Sequence, residues 1–557
     1  MMKKLVIILM AALPMLALAQ SVVNVKVDSV GKLASNIAED QRFKISELKV
    51  SGPLNGTDLK LLQQIVNRTK TNKNNPDECL VTAVDLSDIT ISESSDKGGI
   101  KTLANELPKG LFSGAKNLKK VILPSGFETI SNSCFSGCTS LTDVTIPASV
   151  KVIGIEAFQD CESLTAISLP EGLETIGNEA FERCKNLASV ELPKGISQIA
   201  PQAFSGCKAL KSINIPDGTT IIGGSAFRNC ESLTTMTLPK SVEEIESSAF
   251  ENCTNLESIE TASVRKVGAN AFSGCKSLKS VSFDNIISIG QIAFQNCLSL
   301  TSATLKGSLT DVNTAAFKGC ASLSSVTLPA TLTSVSSHAF EGCNSLSEME
   351  FPASLTKIGD YAFQKCTSLR EAILPNTLKT LGDHAFEDCA SLEKVEINGF
   401  LSEIETNVFR NCSSLRSITL PTSVKRIGSN AFLGCAMLSD INLPVSLKTI
   451  EDAAFEKCVS LQSIVFPVSL KSIGGDAFKG CLQLTNIELP AGLKSLGGSA
   501  FQECKSLREV NLRCPAPPSI SGDTFKGVRA TYIIPRGSLK VYLADKKWQK
   551  ITGYKEQ

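Results

Sequence analysis

The feature that most constrains the fold of this chain is one short unit that recurs along most of its length. Successive copies begin at Pro421, as PTSVKRIGSNAFLGCAMLSDINL, and at Pro444, as PVSLKTIEDAAFEKCVSLQSIVF. The step between copies is 23 residues, except for two steps of 22 residues beside Cys275. A fixed period in this range predicts a solenoid, because one copy cannot bury its own apolar face and depends on its neighbours to cover it.

Each copy contains a predicted strand followed by a predicted turn. In the L-x-x-I-x-L tail, alternate residues such as Ile418 and Leu420 are expected to face the core, and the residues between them to face solvent. Pro421 follows and ends strand pairing, because it has no N–H group to donate. The next part, A-F-x-x-C, has three- to four-residue spacing and predicts one turn of 3₁₀ or α-helix. Its phenylalanine, Phe432 in this copy, is expected to pack against the copies on both sides.

A cysteine marks the same position in nearly every copy, and Ala115 and Val528 take its place at the two ends of the array. A metal site requires C-x-x-C pairs or clusters of cysteine and histidine. A disulfide requires Cβ atoms about 3.8 Å apart, whereas stacked copies place equivalent side chains roughly 4.8 Å apart. We interpret the column as buried, reduced thiols, with metal binding and a disulfide ladder as the alternatives. The column consists of Cys138, Cys161, Cys184, Cys207, Cys230, Cys253, Cys275, Cys297, Cys320, Cys343, Cys366, Cys389, Cys412, Cys435, Cys458, Cys481 and Cys504.

The repeat, and its A-F-x-x-C signature in particular, resembles the BspA-like class of leucine-rich repeats, which occurs in bacterial secreted and cell-surface proteins. The resemblance spans the chain from about Pro108 to Val528. It implies a leucine-rich-repeat solenoid of short parallel strands and 3₁₀ or α turns, with caps at its N- and C-terminal ends. It also implies adhesion or partner binding, without catalytic residues.

The first 19 residues are predicted to be a cleavable signal peptide. Lys3 and Lys4 precede an apolar run, and Ala17-Leu18-Ala19 provides a small-x-small cleavage site. The style of this segment indicates a Gram-negative bacterium, with export to the secreted fraction, the cell surface or the outer envelope. The apolar run is too short to span a bilayer, and we expect no transmembrane segment in the mature chain.

Three further segments complete the predicted organisation. Residues 20–107 form an N-terminal capping region, residues 108–528 form an array of about 18 copies of 22–23 residues, and residues 529–557 form a C-terminal cap. In the N-terminal region, an amphipathic helix is expected over residues 59–66, with Thr57 as its N-cap. In the C-terminal region, a small amphipathic lid is expected from Tyr542, Leu543 and Trp548.

Composition argues against several functions. The net charge is +1 and neither half of the chain is notably basic, so the chain lacks the basic face that nucleic-acid binding requires. The chain has only two histidines, which is few for metal binding or acid–base catalysis. It also has no nucleophile motif and no phosphate-binding loop. We therefore predict no enzyme activity, no metal and no cofactor.

The repeat is irregular around Cys275. The copies that contain Phe272 and Phe294 are each one residue short, and Ala262 and Asp284 stand where proline is expected. The next strand also ends without proline, at Lys306. This stretch predicts a local irregularity in the solenoid.

Other departures from the repeat indicate a candidate partner site, because a repetitive surface is specific only where the repetition is broken. His338, Tyr361 and His384 occupy the same position of successive copies, directly before A-F, and Phe400 replaces a small polar residue one copy later. The outward strand positions become acidic in the same stretch, at Glu348, Glu350, Glu371 and Glu396. We predict a partner site within residues 338–400, in which bulky side chains are surrounded by negative charge. The alternative is a solvated surface without a partner.

Three functional hypotheses follow. The resemblance favours a bacterial surface or secreted protein that mediates adhesion by binding a protein, such as one of the host matrix or cell surface. A glycan-binding module of a polysaccharide-uptake system is the second hypothesis, and exposed aromatic side chains clustered on one rim would favour it. A structural component of the cell envelope is the third.

Overall fold

The computed structural model describes most of the chain, and the predicted signal peptide lies outside the described residues, which are 21–42, 44–67, 81–95 and 98–557. The chain forms two compact units, Met1–Gly172 and Leu173–Gln557. In the described residues, short strands paired in parallel are numerous and helices are few. This is the architecture of a repeat solenoid, and it confirms the predicted fold class.

The first unit contains two parallel sheets and two helices. The larger sheet consists of Ser21–Lys26, Ile45–Leu54, Ala83–Ile91, Lys120–Ile122 and Asp143–Thr145, in that order. The smaller sheet contains Glu106–Leu107, Thr129–Ile130 and Val152–Ile153. The remaining elements are a strand at Ala166–Ile167 and the helices Leu33–Asn36 and Gly56–Asn67.

The helix Gly56–Asn67 confirms the predicted amphipathic helix but corrects its N-cap. The side-chain oxygen of Asn55 accepts the backbone N–H groups of Thr57 and Asp58, at 3.1 and 3.2 Å. The prediction of Thr57 was wrong because the helix begins at Gly56, which places the N-cap two residues earlier, and asparagine is a favoured N-cap residue. The buried face of the helix consists of Leu59, Leu62, Ile65 and Val66, with Gly56 and Asp58 at its start.

The second unit is built from two ladders of parallel strands. The first ladder contains the L-x-x-I-x-L tails, and its strands are Ser189–Val190, Ser212–Ile213, Thr235–Met236, Ser258–Ile259, Ser280–Ile286, Ser302–Gly307, Ser325–Thr327, Glu371–Leu374, Lys394–Ile397, Ser417–Thr419, Ser463–Val465, Asn486–Leu489, Glu509–Leu512, Thr531–Ile534 and Tyr554–Glu556.

The second ladder contains the two residues that end at the isoleucine of the consensus. Its strands are Thr175–Ile176, Gln198–Ile199, Ile221–Ile222, Glu244–Ile245, Lys266–Val267, Ser288–Ile289, Asp311–Val312, Ser334–Val335, Lys357–Ile358, Thr380–Leu381, Glu403–Ile404, Arg426–Ile427, Thr449–Ile450, Ser472–Ile473 and Ser495–Leu496. A helix at Leu539–Ala544 and a 3₁₀ helix at Trp548–Lys550 lie near the C-terminal end of the described residues.

Stacked phenylalanine rings form the centre of the core. Phe432 is fully buried, and its ring centroid lies 5.6 Å from that of Phe409 and 5.0 Å from that of Phe455. The expectation that Phe432 packs against both neighbouring copies is thus confirmed. Ile418 and Leu420 are buried and the residues between them exposed, as period-two alternation requires.

The cysteine column lies beside these rings as buried thiols. The Cys435 thiol donates a hydrogen bond to the backbone carbonyl of Phe409 in the preceding copy, at 3.2 Å, and the same bond recurs along the array. The cysteines of the described residues are all buried. Each thiol therefore helps to hold successive copies together as a small apolar group with one weak donor.

The A-F-x-x-C segments have 3₁₀-type hydrogen bonds but do not form continuous helices. The backbone N–H of Leu433 donates to Asn430, and that of Cys435 donates to Phe432, both over three residues. Positive φ angles interrupt the helix at Asn430 and at Gly434, with values of 56° and 75°. Each copy has these two positions, which lie directly before Ala and directly before Cys.

The irregular stretch around Cys275 has longer strands than the rest of the array. The strands Ser280–Ile286 and Ser302–Gly307 pair with each other and continue past Asp284 and Lys306, where proline is missing. The register shifts between Phe283 and Ile286. The predicted irregularity is confirmed, and its cause is that no proline ends the pairing.

The predicted C-terminal lid needs one correction. Tyr542 and Trp548 are fully buried, and both donate hydrogen bonds to backbone carbonyls, Tyr542 to Cys514 at 2.8 Å and Trp548 to Pro518 at 2.7 Å. Leu543, however, is 46% exposed. It lies on the outer face of a short helix in which Tyr542 takes the inward position.

Candidate functional site

Three aromatic side chains form a continuous stack, as their common position in the repeat predicts. The ring centroids of His338 and Tyr361 are 4.8 Å apart, and those of Tyr361 and His384 are 4.3 Å apart. The rings are nearly parallel, with interplanar angles of 3° and 12°. All three rings are partly exposed, so the stack presents ring edges to solvent.

The backbone fixes this stack. His338, Tyr361 and His384 have φ angles of 60°, 58° and 58°, in the left-handed region. The backbone N–H of His338 donates to the carbonyl of Asp360, and that of Tyr361 donates to the carbonyl of Asp383, each in the next copy. Because the same bond recurs at His384, to the carbonyl of Thr406, the three side chains leave the backbone in the same direction at one-copy spacing.

A glutamate three residues after each histidine holds the imidazole in place. His338 Nδ1 lies 2.6 Å from Glu341 Oε2, and His384 Nδ1 lies 2.7 Å from Glu387 Oε2. Lys318 also binds Glu341, at 2.8 Å. Burial raises the pKa of Glu341, but the hydrogen bonds from Lys318 and His338 outweigh burial and hold this pKa below its ordinary value.

Glu387 is the centre of a larger network. It is 5% exposed, and besides His384 it accepts hydrogen bonds from Gln364 at 2.7 Å and from Arg410 at 3.1 Å. Asn407 lies 3.3 Å from the other ring nitrogen of His384. Sequence reasoning missed these partners, although H-A-F-E occurs in both copies and its three-residue spacing is a signal for the pairs.

Two of the four predicted acidic residues, Glu371 and Glu396, lie on strands of the first ladder, and a cation offsets part of their charge. Lys394 Nζ lies 2.9 Å from Glu371 and 2.7 Å from Glu396. Glu348, Glu350 and Glu371 line an open depression of about 520 Å³, together with Arg370 and Ile373. No strand of the first ladder forms between Ser325–Thr327 and Glu371–Leu374, so the prediction that Glu348 and Glu350 are strand positions was wrong. The depression lies where the first ladder is interrupted.

Phe400 stands in the loop that joins the two ladders and is 76% exposed. Other copies have a hydroxyl residue there, such as Ser423, whose Oγ donates to the carbonyl of Leu401 at 2.7 Å. At Phe400 the backbone N–H makes the equivalent bond, to the carbonyl of Leu378 at 3.0 Å. The ring is therefore not needed for packing.

The structure does not bring all predicted site residues into contact. The stack contacts the glutamates of the A-F turns, and Phe400 lies in the connecting loop. The acidic residues lie on strands of the first ladder or where that ladder is interrupted. Within residues 338–400, all of which are described, no hydrogen bond, ion pair or ring contact joins the three groups. They form three neighbouring features and not one packed cluster.

The described residues contain no group of three or more His, Cys, Asp or Glu side chains arranged to hold a metal ion. None of the helices found in these residues has the length and hydropathy needed to cross a membrane.

Comparison with protein families identifies the family to which the repeat belongs. A family model described as BspA type leucine rich repeat region (6 copies) matches residues 85–211, 198–324, 287–416 and 402–531. The chain therefore belongs to the BspA-type leucine-rich repeat family, as its A-F-x-x-C signature predicts. Leucine-rich repeat proteins of this family are generally binding scaffolds for other proteins.

Solved structures similar to this chain include bacterial leucine-rich repeat proteins. A leucine-rich repeat protein from Bacteroides ovatus is 26% identical, with 82% of this chain and 94% of that chain covered and a TM-score of 0.42. A leucine rich cell surface protein from Faecalibacterium prausnitzii is 28% identical, with 58% and 87% covered and a TM-score of 0.37. The T. pallidum leucine rich repeat protein is 32% identical, with 31% and 72% covered and a TM-score of 0.25. No curated protein matches the chain.

Proposed function

We propose that this chain is a secreted or cell-surface bacterial adhesion protein that binds a protein partner without catalysis. The observation that carries the proposal is the stack of His338, Tyr361 and His384, held by the carboxylates of Glu341 and Glu387 at a break in an otherwise repetitive surface. A rigid, partly exposed aromatic group is the kind of anchor on which protein interfaces depend. Phe400, exposed and not needed for packing, supplies a second anchor nearby in the sequence.

The geometry of the stack favours a protein over a glycan. An aromatic side chain binds a sugar through the face of its ring. Both faces of Tyr361 are covered by the imidazoles of His338 and His384, at 4.8 and 4.3 Å between ring centroids. The stack therefore offers polar ring edges, which suit hydrogen bonds and side-chain contacts of a protein surface.

Glu348 and Glu350 add a charge preference to the proposed site. Neither forms an ion pair in the described part of the chain, and both line the depression where the first ladder is interrupted. A partner with a basic patch would complement them. This part of the binding should weaken with salt, because exposed charges are screened beyond about 10 Å at 0.1 M ionic strength.

The test is an affinity measurement with a matched control. Partners are captured with the chain from residue 20 onward and then measured against a variant with His338→Ser, Tyr361→Ser, His384→Ser and Phe400→Ser. Serine is native at the stack position in other copies, for example Ser248, so the variant should fold. We expect at least about tenfold weaker binding, because central anchors contribute about 2 kcal/mol or more each.

A control variant carries Gln202→Ser, Ile292→Ser and Val445→Ser, which change two equivalent turn positions and one exposed loop residue in other copies. It should bind like the parent. If the four-residue variant folds and also binds like the parent, the site lies elsewhere.

Export is part of the same proposal. The predicted signal peptide of residues 1–19 supports a mature chain that starts at Gln20, followed by the N-terminal capping region and the array. Intact-mass analysis of the exported protein should show that Gln20 is the first residue. A mass that retains Met1 would contradict export by cleavage.

A further inference from the structure

The second unit has a cationic depression that the proposed partner site does not use. Its volume is about 760 Å³, and residues from the last turn of the array, from the strand Thr531–Ile534 and from the segment after Lys547 line it. Five of the lining residues are cations, namely Arg508, Lys526, Arg529, Lys547 and Lys550. None of the lining residues is a glutamate or an aspartate.

These five cations differ from many others in the array, because no carboxylate of the described residues lies at ion-pair distance from them. Elsewhere, pairs such as Lys208 with Glu231 and Lys279 with Glu257 join neighbouring copies at 2.8 and 2.5 Å. None of the five forms an ion pair within the described part of the chain. Like charges around one depression repel each other, so an external anion would stabilise the arrangement.

Nearby acidic residues are engaged in other contacts. Asp545 attracts Lys547, but its carboxylate accepts the backbone N–H groups of Lys547 and Trp548, at 2.8 and 3.1 Å. Asp523 lies three residues before Lys526, and its carboxylate accepts hydrogen bonds from Ser499 and Ser521. These bonds hold both carboxylates against the protein's own backbone and hydroxyl groups.

The other lining residues narrow the class of ligand. Phe525 and Tyr532 lie beneath the depression and are only 9% and 4% exposed, so neither ring face can stack on a nucleic-acid base. The lining also contains no exposed large apolar side chain of the kind that anchors a protein partner. The surface instead combines exposed cations with the hydroxyl groups of Thr531 and Thr552.

We propose that this depression binds an anionic polysaccharide through its sulfate or carboxylate groups. The cations pair with the charged groups, and the threonine hydroxyls bond to sugar hydroxyls. Such a ligand needs neither an aromatic platform nor an apolar anchor. The site is independent of the proposed protein site, whose residues lie between positions 338 and 400.

The test uses the full mature chain and heparin as the sulfated probe, with polygalacturonate as the carboxylated probe and dextran as the neutral one. Binding is measured by calorimetry at low salt and again at moderate salt. The test variant carries Arg529→Ser, Lys547→Ser and Lys550→Ser. A control variant removes three exposed charges from other copies through Lys194→Ser, Lys211→Ser and Lys240→Ser.

We expect the parent and the control to bind one or both anionic probes but not dextran, and to bind more weakly as salt rises. The test variant should bind about tenfold more weakly, since three exposed charge pairs are lost. If it does not fold, Lys550→Glu replaces it, with the same expected direction. The proposal is overturned if neither anionic probe binds, or if test and control variants weaken equally. Tighter binding of a single-stranded oligonucleotide than of heparin through the same residues would also overturn it.

Discussion

The residue directly before A-F has a positive φ angle in most copies, and this angle favours some residue types over others. Asn270 and Asn430 adopt φ angles of 57° and 56° at this position, which asparagine tolerates better than most residues. Ile292 adopts 63° at the same position, although β-branched residues are strongly disfavoured there. The stack residues meet the same limit, and histidine is one of the types enriched in this region.

Replacing Ile292 therefore offers a test at a single residue. Ile292→Asn should raise the free energy of unfolding by up to about 1 kcal/mol, because it relieves left-handed strain at a half-buried site. The urea dependence of unfolding, followed by circular dichroism, measures the change. Gln291→Asn, at the exposed preceding residue, is the control and should have almost no effect. A clear loss of stability in Ile292→Asn would show that packing outweighs the backbone.

For Phe432, in the stacked phenylalanine rings of the core, we expect a substitution to lower the free energy of unfolding. Phe432→Ala removes a fully buried ring with neighbours on both sides, and it should cost about 3–5 kcal/mol. Amide hydrogen exchange in the copies around position 432 reports this cost as a lower free energy of local opening. Val445→Ala is the control, since Val445 is 77% exposed and its truncation should change stability by less than about 0.5 kcal/mol. A loss below about 1 kcal/mol for Phe432→Ala would contradict the role of the ring.

At the scale of the element, proline decides where a strand stops. Pro421 follows a strand that ends at Thr419, whereas the strands near Asp284 and Lys306 continue to Ile286 and Gly307. The extension brings Gly307 against Ile286 of the preceding copy at a φ of 136°. A Cβ atom at Gly307 would lie 2.5 Å from the backbone nitrogen and oxygen of Ile286.

Gly307→Ala should therefore destabilise the irregular stretch by about 1–3 kcal/mol, from backbone strain and crowding together. Hydrogen exchange of the amides in Ser280–Ile286 and Ser302–Gly307 measures this effect. Gly522→Ala is the matched control, because no atom lies within 4 Å of a Cβ placed there and its φ is not positive. Equal protection in the two variants would show that the extended pairing is not under this constraint.

The elements that sequence could predict are those that depend on periodicity. Ile418, Leu420 and Phe432 are buried as their spacing requires, because burial in a solenoid follows from the repeat alone. The network around Glu387 was not predictable in the same way, because its partners come from three copies and meet only when the copies stack. The prediction of the N-cap failed for a local reason, since two favourable residues only two positions apart, Asn55 and Thr57, compete within one turn.

At the scale of the whole molecule, the cysteine column couples stability to pH. Burial raises the pKa of these thiols, and at some positions, such as Cys275, the charge of a neighbouring cysteine raises it further. The pKa of Cys253 is raised by burial from 9.0 to about 12. In the unfolded chain the thiols ionise near the ordinary value. Between these two values the unfolded state binds fewer protons than the folded state, so the free energy of unfolding falls as pH rises.

We therefore expect full stability below about pH 9 and a progressive loss as pH approaches 12, by about 1.4 kcal/mol per pH unit for each buried thiol that is exposed on unfolding. Urea midpoints over this range measure the loss. A variant with Cys412→Ala, Cys435→Ala and Cys458→Ala should show a shallower dependence of the urea midpoint on pH. Ala115 is buried at the cysteine position of its own copy, which shows that alanine fits there. Thiol titration in denaturant without reductant must first recover nearly all cysteines. Few free thiols, or a midpoint that stays constant above pH 9, would mean that the column is cross-linked or that its thiols are not buried.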